Sequence, residues 1–118
     1  MSKQWLHLAI KQAERSDYGF RHGAIALRGK HICGRGYNTS SGVPRWLKVR
    51  YNYFSRHAET HALQGVQEAD TVVVVRIKKD GTLTMSKPCN ICMKMLREKK
   101  VKKIYFTDWN GQLRMTRV

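Results

Sequence analysis

Four consecutive valines, Val72 to Val75, lie inside the run Thr71 to Lys78. A strand wetted on one side alternates apolar and polar residues, so an unbroken apolar run marks a strand buried on both faces. Such a strand belongs at the centre of a sheet, and the rest of the chain must supply what covers it. With 118 residues there is length for one compact domain over 1–118, and none left for a regulatory or targeting domain.

The segments on either side fit that requirement. Ser2 can cap a helix whose Leu6, Ile10 and Ala13 share one face with Ala9 beside them, ending near Asp17 and Gly19. Ala24 to Arg28 and His31 to Tyr37 read as strands joined through Gly29-Lys30 in a hairpin. Asn38 to Arg56 has no period and is punctuated by Gly42 and Pro44, which predicts a long loop. A second helix is expected from a Ser55 cap to about Glu68, with Ala58, Ala62 and Val66 in register. Pro88 suits the first turn of a third helix that reaches Lys99 or Lys100, with Cys89, Cys92 and Leu96 on one face. Lys103 to Thr107 is a further strand, and Asn110-Gly111 signals a hairpin into Gln112 to Val118. The order α-β-β-α-β-α-β-β predicts an α/β fold with helices packed on a mixed five-stranded sheet.

Lys and Arg number 23 against 8 Asp and Glu, a net charge of +15 with an isoelectric point near 10.3. Such an excess attracts polyanions, nucleic acid or nucleotide phosphate among them; a solvated basic surface is the plainer alternative. The N-terminal stretch is broken by Lys11 and Glu14, so it lacks the apolar run of a signal peptide and the roughly 20 apolar residues of a bilayer span. A soluble, intracellular (cytoplasmic) protein without a membrane partner is the expectation. Of three cysteines, two form Cys89-x-x-Cys92, which in a chain without export features favours metal or redox chemistry over disulfides. Cys33 is expected to be a buried, inert thiol in its strand.

His57-Ala58-Glu59 precedes Pro88-Cys89-Asn90-Ile91-Cys92, and the two halves together are far more specific than either alone. Cysteines three apart at a helix start point the same way, where unpaired N–H groups and the helix dipole favour thiolate. His57 can add a nitrogen from a second helix start. Three protein ligands leave the fourth zinc position open to water, which marks a catalytic site, and water held there ionises near neutral pH. Glu59 can then move protons as general base and acid; by itself it could equally be an acidic residue complementing a helix N-terminus. His61 stands four residues after His57, but Ala58 occupies the place where zincin proteases need Glu, so His61 is assigned to packing or surface.

These residues match the pattern H-x-E…P-C-x-x-C of zinc nucleobase deaminases. From about Gly23 to Asp108 the chain resembles the cytidine and deoxycytidylate deaminase superfamily. The resemblance implies a three-layer α-β-α fold with a C-terminal antiparallel hairpin, and a Zn2+ cofactor on His57, Cys89 and Cys92. It also implies a hydrolase acting on the C–N bond of a cyclic amidine, with Glu59 catalytic. Gly36-Tyr37-Asn38 matches the family's Gly-x-Asn, which makes Asn38 a ligand for sugar and base; the backbone of Ala58 would meet the base carbonyl. A histidine ligand resembles the deoxycytidylate, tRNA adenosine and AID/APOBEC branches. The Asn110-Gly111 hairpin instead resembles free-cytidine deaminases, whose last two strands are antiparallel.

The Asn38–Arg56 loop interleaves cations and aromatics, including Trp46 and Arg56, which suits phosphate neutralisation and base stacking. Tyr105-Phe106-Thr107-Asp108-Trp109 resembles the aromatic loop of polynucleotide deaminases, with Trp109 as a stacking platform and Tyr105 or Phe106 as alternative core residues. The leading expectation is deamination of cytosine to uracil in a nucleotide (dCMP or cytidine type) or a single-stranded polynucleotide. Two alternatives are an adenosine-to-inosine deaminase on RNA and a non-catalytic zinc and nucleic-acid binding module. The family's habit of assembling implies a homo-oligomer, which so large a like charge opposes unless an anion intervenes.

Overall fold

The computed structural model describes residues 3–16, 21–38, 58–66 and 68–118. Helix α1 (Lys3–Glu14) is followed by strands β1 (Arg21–Arg28) and β2 (His31–Tyr37), then helix α2 (Ala58–Leu63) and strand β3 (Thr71–Ile77). A two-residue strand β4 (Leu83–Thr84), helix α3 (Asn90–Glu98), and strands β5 (Lys103–Thr107) and β6 (Leu113–Arg117) complete the order. The strands lie as β2-β1-β3-β5-β6 in one open sheet, with β4 added beside β3. Among the described strands only β3 and β5 pair in parallel; β1 with β2, β1 with β3, β3 with β4 and β5 with β6 are antiparallel. The five expected strands therefore form the main path, and β4 is a short sixth that periodicity could not reveal. Among the described residues no helix is long and apolar enough to cross a membrane.

The valine strand is the centre of this arrangement, since Val72 to Val75 are all fully buried. Because side chains alternate along a strand, the four valines serve two separate cores. Val72 and Val74 join Ala24, Ala26, Ile104 and Phe106 beneath α2 and α3, where Ala62, Leu63, Met95 and Leu96 cover them. Val73 and Val75 join Ile25, Leu27 and Ile77 beneath Ala9 and Ala13 of α1. The result is three layers with helices on both faces of the sheet.

On the α2 side the layers approach to backbone contact. A Cβ placed on Gly36 would stand 2.6 Å from His61 Cβ and 2.7 Å from Ala58 O, and closer still to Ala62 N; one on Gly34 would overlap Ala62 O. Helix α2 thus rests on bare β2 backbone through Ala58 and Ala62. It is also shorter than the expected run to Glu68, because Gly65 adopts φ +77 and ends the helix; Val66 still packs against the same core. Helix α3 starts later than expected, with Pro88 outside it and Cys89 at the N-cap in an extended conformation (φ −67, ψ 169). Its other end is a Schellman closure: Val101 N–H donates to Leu96 O (3.0 Å) and Lys100 N–H to Arg97 O (3.0 Å), with Lys100 at φ 65. Cys33, expected inside, is exposed: the β1–β2 register slips between Ala26 and Leu27, and Cys33 sits in the resulting bulge on an edge strand.

Two stability outcomes follow from this geometry. Gly36→Ala should cost about 3 kcal/mol, because backbone atoms of α2 cannot move aside as a flexible side chain would; a lower urea midpoint at unchanged m-value reads this. Lys100→Gly should raise stability by about 1 kcal/mol, by relieving a side-chain-bearing residue of the left-handed conformation, and a higher melting temperature is the corresponding readout.

Candidate active site

The site residues collect at one end of the sheet, and the topology explains why. β3 and β5 run in parallel, so the connection leaving β3 and the start of α3 both lie at the strands' C-terminal ends, the usual place for ligands in sheets of this kind. β1 begins and β2 ends at that same end, where Arg21 pairs with Ile77 and Gly23 with Tyr37. Gly36 faces Ala58 O and Gly34 faces Ala62 O, so α2 runs antiparallel to β2 and its first turn lies beside the end of β2.

The first turn of α2 carries Ala58, 1% exposed, and Glu59, 5% exposed. A carboxyl group so deeply placed on a short helix is not a surface feature complementing a dipole. The first turn of α3 carries the two thiols: Cys89 at the exposed N-cap and Cys92 buried three residues on. Met93 N–H donates to Cys89 O (2.9 Å), the bond that closes this turn. Ala58, Ala62 and Met95 belong to one apolar cluster, which holds α2 and α3 side by side.

The segment between β4 and α3 is fastened by a buried hydroxyl network. Ser86 Oγ donates to Val74 O (2.9 Å) and accepts the Thr107 N–H (2.7 Å), while Ser86 N–H donates to Thr107 O (2.9 Å). Thr107 Oγ1 lies 2.8 Å from Ser86 Oγ and donates to Thr84 O. Ser86 is 4% exposed and Thr107 0%, so these bonds form away from water. They clamp the chain three residues before Cys89 onto the middle of β3 and the end of β5. Sequence reading missed this device; its one signal is a threonine closing the otherwise apolar run Ile104-Tyr105-Phe106-Thr107.

Asn38 sits at the end of β2, held from two sides. Its Oδ1 accepts the His22 N–H (2.8 Å), its N–H donates to His22 O (3.3 Å), and Ser16 Oγ donates to its carbonyl (2.9 Å). His61 has the packing role expected of it: its Nδ1 lies 3.1 Å from Tyr37 N, and its ring meets the Tyr37 ring edge-on at 4.9 Å. Trp109 stands 71% exposed in the β5–β6 turn, where Asp108 Oδ1 accepts the N–H groups of Asn110 and Gln112 (2.9 Å each). Tyr105, Phe106 and Thr107 belong to β5 rather than to a loop, and Phe106 is core. His57, Arg56 and Trp46 lie outside the described residues. Among the described residues no three His, Cys, Asp or Glu side chains form a metal-sized group; the expected set includes His57, so this bears on only part of it. The donors that are described fit zinc in kind, two thiols on one helix turn at an N-terminus.

A model of the cytidine and deoxycytidylate deaminase zinc-binding region matches residues 1–108. The chain belongs to that family. Zinc is accordingly its metal, and membership supports a hydrolytic deaminase of a cytidine-type substrate. No curated protein matches the sequence. Solved structures do match the fold. Cytidine deaminase from Burkholderia pseudomallei superposes with a TM-score of 0.72 at 18% identity, covering 99% of this chain and 92% of that one. Cytidine deaminase from Mycobacterium tuberculosis gives 0.60 at 20% identity over 88% and 81%. The dCMP deaminase from the cyanophage S-TIM5, in complex with dCMP and dUMP, gives 0.56 at 22% identity over 92% and 85%.

Ser86→Ala should destabilise this deaminase-family chain by about 2 kcal/mol, because the buried Thr107 N–H loses its acceptor; a matching fall in the denaturation midpoint would bear this out.

Proposed function

We propose that the chain hydrolyses cytosine to uracil, releasing ammonia, in a nucleotide or a single-stranded polynucleotide. The observation that supports this reading is that α2, with Ala58-Glu59 in its first turn, and α3, with Cys89 to Cys92 in its first turn, pack together with both starts toward the C-terminal ends of the parallel strands. Cys89 and Cys92, with His57, would hold the zinc. When bound, zinc supplies the Lewis acidity that makes hydroxide available near neutral pH.

The remaining work belongs to the chain's own groups. Glu59 takes a proton from water, passes it to the ring nitrogen of the base, and delivers another to the departing amine. Its burial keeps bulk water from competing for those protons. The backbone of Ala58 would meet the base carbonyl. Asn38, fixed by His22 and Ser16, would bind sugar and base from a rigid position, which keeps the reacting carbon aligned. Trp109, which is exposed, would stack on a neighbouring base, and Trp46 and Arg56 would add contacts to base and phosphate. The charge of +15 favours a substrate carrying phosphate over a bare nucleoside.

Product analysis by mass spectrometry over cytidine, dCMP, single-stranded DNA and RNA tests the proposal. The wild-type protein should yield a uracil product from at least one of them, and Glu59→Ala should lower the rate by about 100-fold or more while zinc content is unchanged. Failure to form uracil from any of the four would overturn it, as would full activity in the Glu59→Ala protein. Inosine formed on a tRNA-like hairpin would point instead to the adenosine reading.

A further inference from the structure

The pole of the sheet opposite the candidate site holds a concave surface. Helix α1 lies over β1 and β3, and the groove opens between its Trp5 and the strand pair β5–β6. On that face Lys103 pairs across the strands with Arg117, and Tyr105 with Met115. With Trp5 and Lys102 these residues line a groove of about 560 Å³. Its base is formed by Gly29, Asp70 and Thr71, at the beginning of β3, whereas the candidate site lies beyond the far end. Seven strand residues separate the two poles, which places them about 20 Å apart.

The lining has a definite chemistry. Trp5 and Tyr105 bring two aromatic side chains, each partly buried against the core, Lys103 Nζ lies 5.7 Å from the Tyr105 ring centre, and Met115 is 53% exposed. Lys102, Lys103 and Arg117 supply three cations against the single carboxylate of Asp70. That carboxylate is already engaged: it accepts hydrogen bonds from the Gly29 N–H (2.6 Å) and the Thr71 hydroxyl (2.8 Å). The backbone bond from Gly29 above all, with Thr71 and the nearby Lys103 and Lys102 adding, holds its pKa below the ordinary carboxylate range, so it stays ionised. The groove is left net cationic.

We propose that this groove is an anchoring site for single-stranded nucleic acid, with phosphates on Lys103, Arg117 and Lys102 and bases against Trp5 and Tyr105. Cations alternating with flat apolar faces answer both parts of a nucleotide, and the volume accommodates a nucleotide-sized unit. A second copy of this chain is the wrong occupant by charge, because two surfaces of a +15 protein repel. The proposal does not rest on the deaminase reading; a chain without Glu59 would still anchor a strand.

The test uses fluorescence anisotropy with a labelled oligothymidylate of about 12 nucleotides. Lys103→Ala with Arg117→Ala should weaken binding at least tenfold and flatten the slope of log affinity against log salt by about 1.4, the value for two lost phosphate contacts on a single strand. The charge-matched pair Lys11→Ala with Lys79→Ala, both exposed and outside the groove, should weaken it less than about threefold. Trp5→Phe should retain most of the affinity and Trp5→Leu should lose about tenfold, with circular dichroism confirming that each variant folds. Equal losses from the two charge-matched pairs would overturn the proposal, since bulk charge alone would then explain binding. So would absence of binding in the wild type at low salt, or a salt-resistant dimer in sedimentation that Met115→Glu dissociates.

Discussion

Everything at the candidate site depends on α2 meeting β2 with no side chain between them. Gly34 and Gly36 present bare backbone, Ala58 and Ala62 present the smallest side chains a helix can offer, and the two elements close to a separation that admits nothing larger. A longer residue at any of these positions would lift the helix and carry Glu59 with it. Burial of a carboxyl group at 5% exposure depends on that seat, as does its placement beside the end of β2 where Asn38 is tied down.

The second half of the site is held differently. Cys89 and Cys92 follow a segment without regular structure, and such a segment would be a loose mount for a metal ligand. Ser86 and Thr107 remove that looseness with buried hydrogen bonds to both parallel strands. Cys89 then stands at the N-cap of its helix, beside N–H groups that lack partners within the helix, a setting that favours a thiolate. One helix is positioned by shape and the other by hydrogen bonding, and the ends of β3 and β5 give them a common frame.

The protein divides its chemistry between two poles of one sheet. The C-terminal ends of the parallel strands carry the groups proposed for catalysis and substrate binding, while the opposite ends gather Lys102, Lys103 and Arg117 around an open groove. This division follows from unequal coverage: among the described residues α1 packs mainly on β1 and β3, and β5 and β6 lie beside it rather than beneath it. Antiparallel pairing of β5 with β6 contributes as well, since it sets Lys103 opposite Arg117 and Tyr105 opposite Met115 in adjacent rows.

Much of this was legible in the residues alone. The four valines required a central strand, the element order required a mixed sheet, and His57-x-Glu59 with Cys89-x-x-Cys92 named the family that the match over residues 1–108 shows. These features are local in sequence, and periodicity and spacing report local facts well. Element ends were less legible: Gly65 stops α2 early, Cys89 caps α3 instead of lying within it, and a bulge brings Cys33 to the surface. The clamp of Ser86 on Thr107, 21 residues apart, and the groove beside Trp5 could not be read from the chain, because each is made by residues that only the folded sheet brings together. Sequence by itself determined which chemistry the chain can carry and how many layers must enclose it. Tertiary structure decided where that chemistry is exposed, because exposure depends on which strand a helix happens to cover and no single segment encodes its own neighbours.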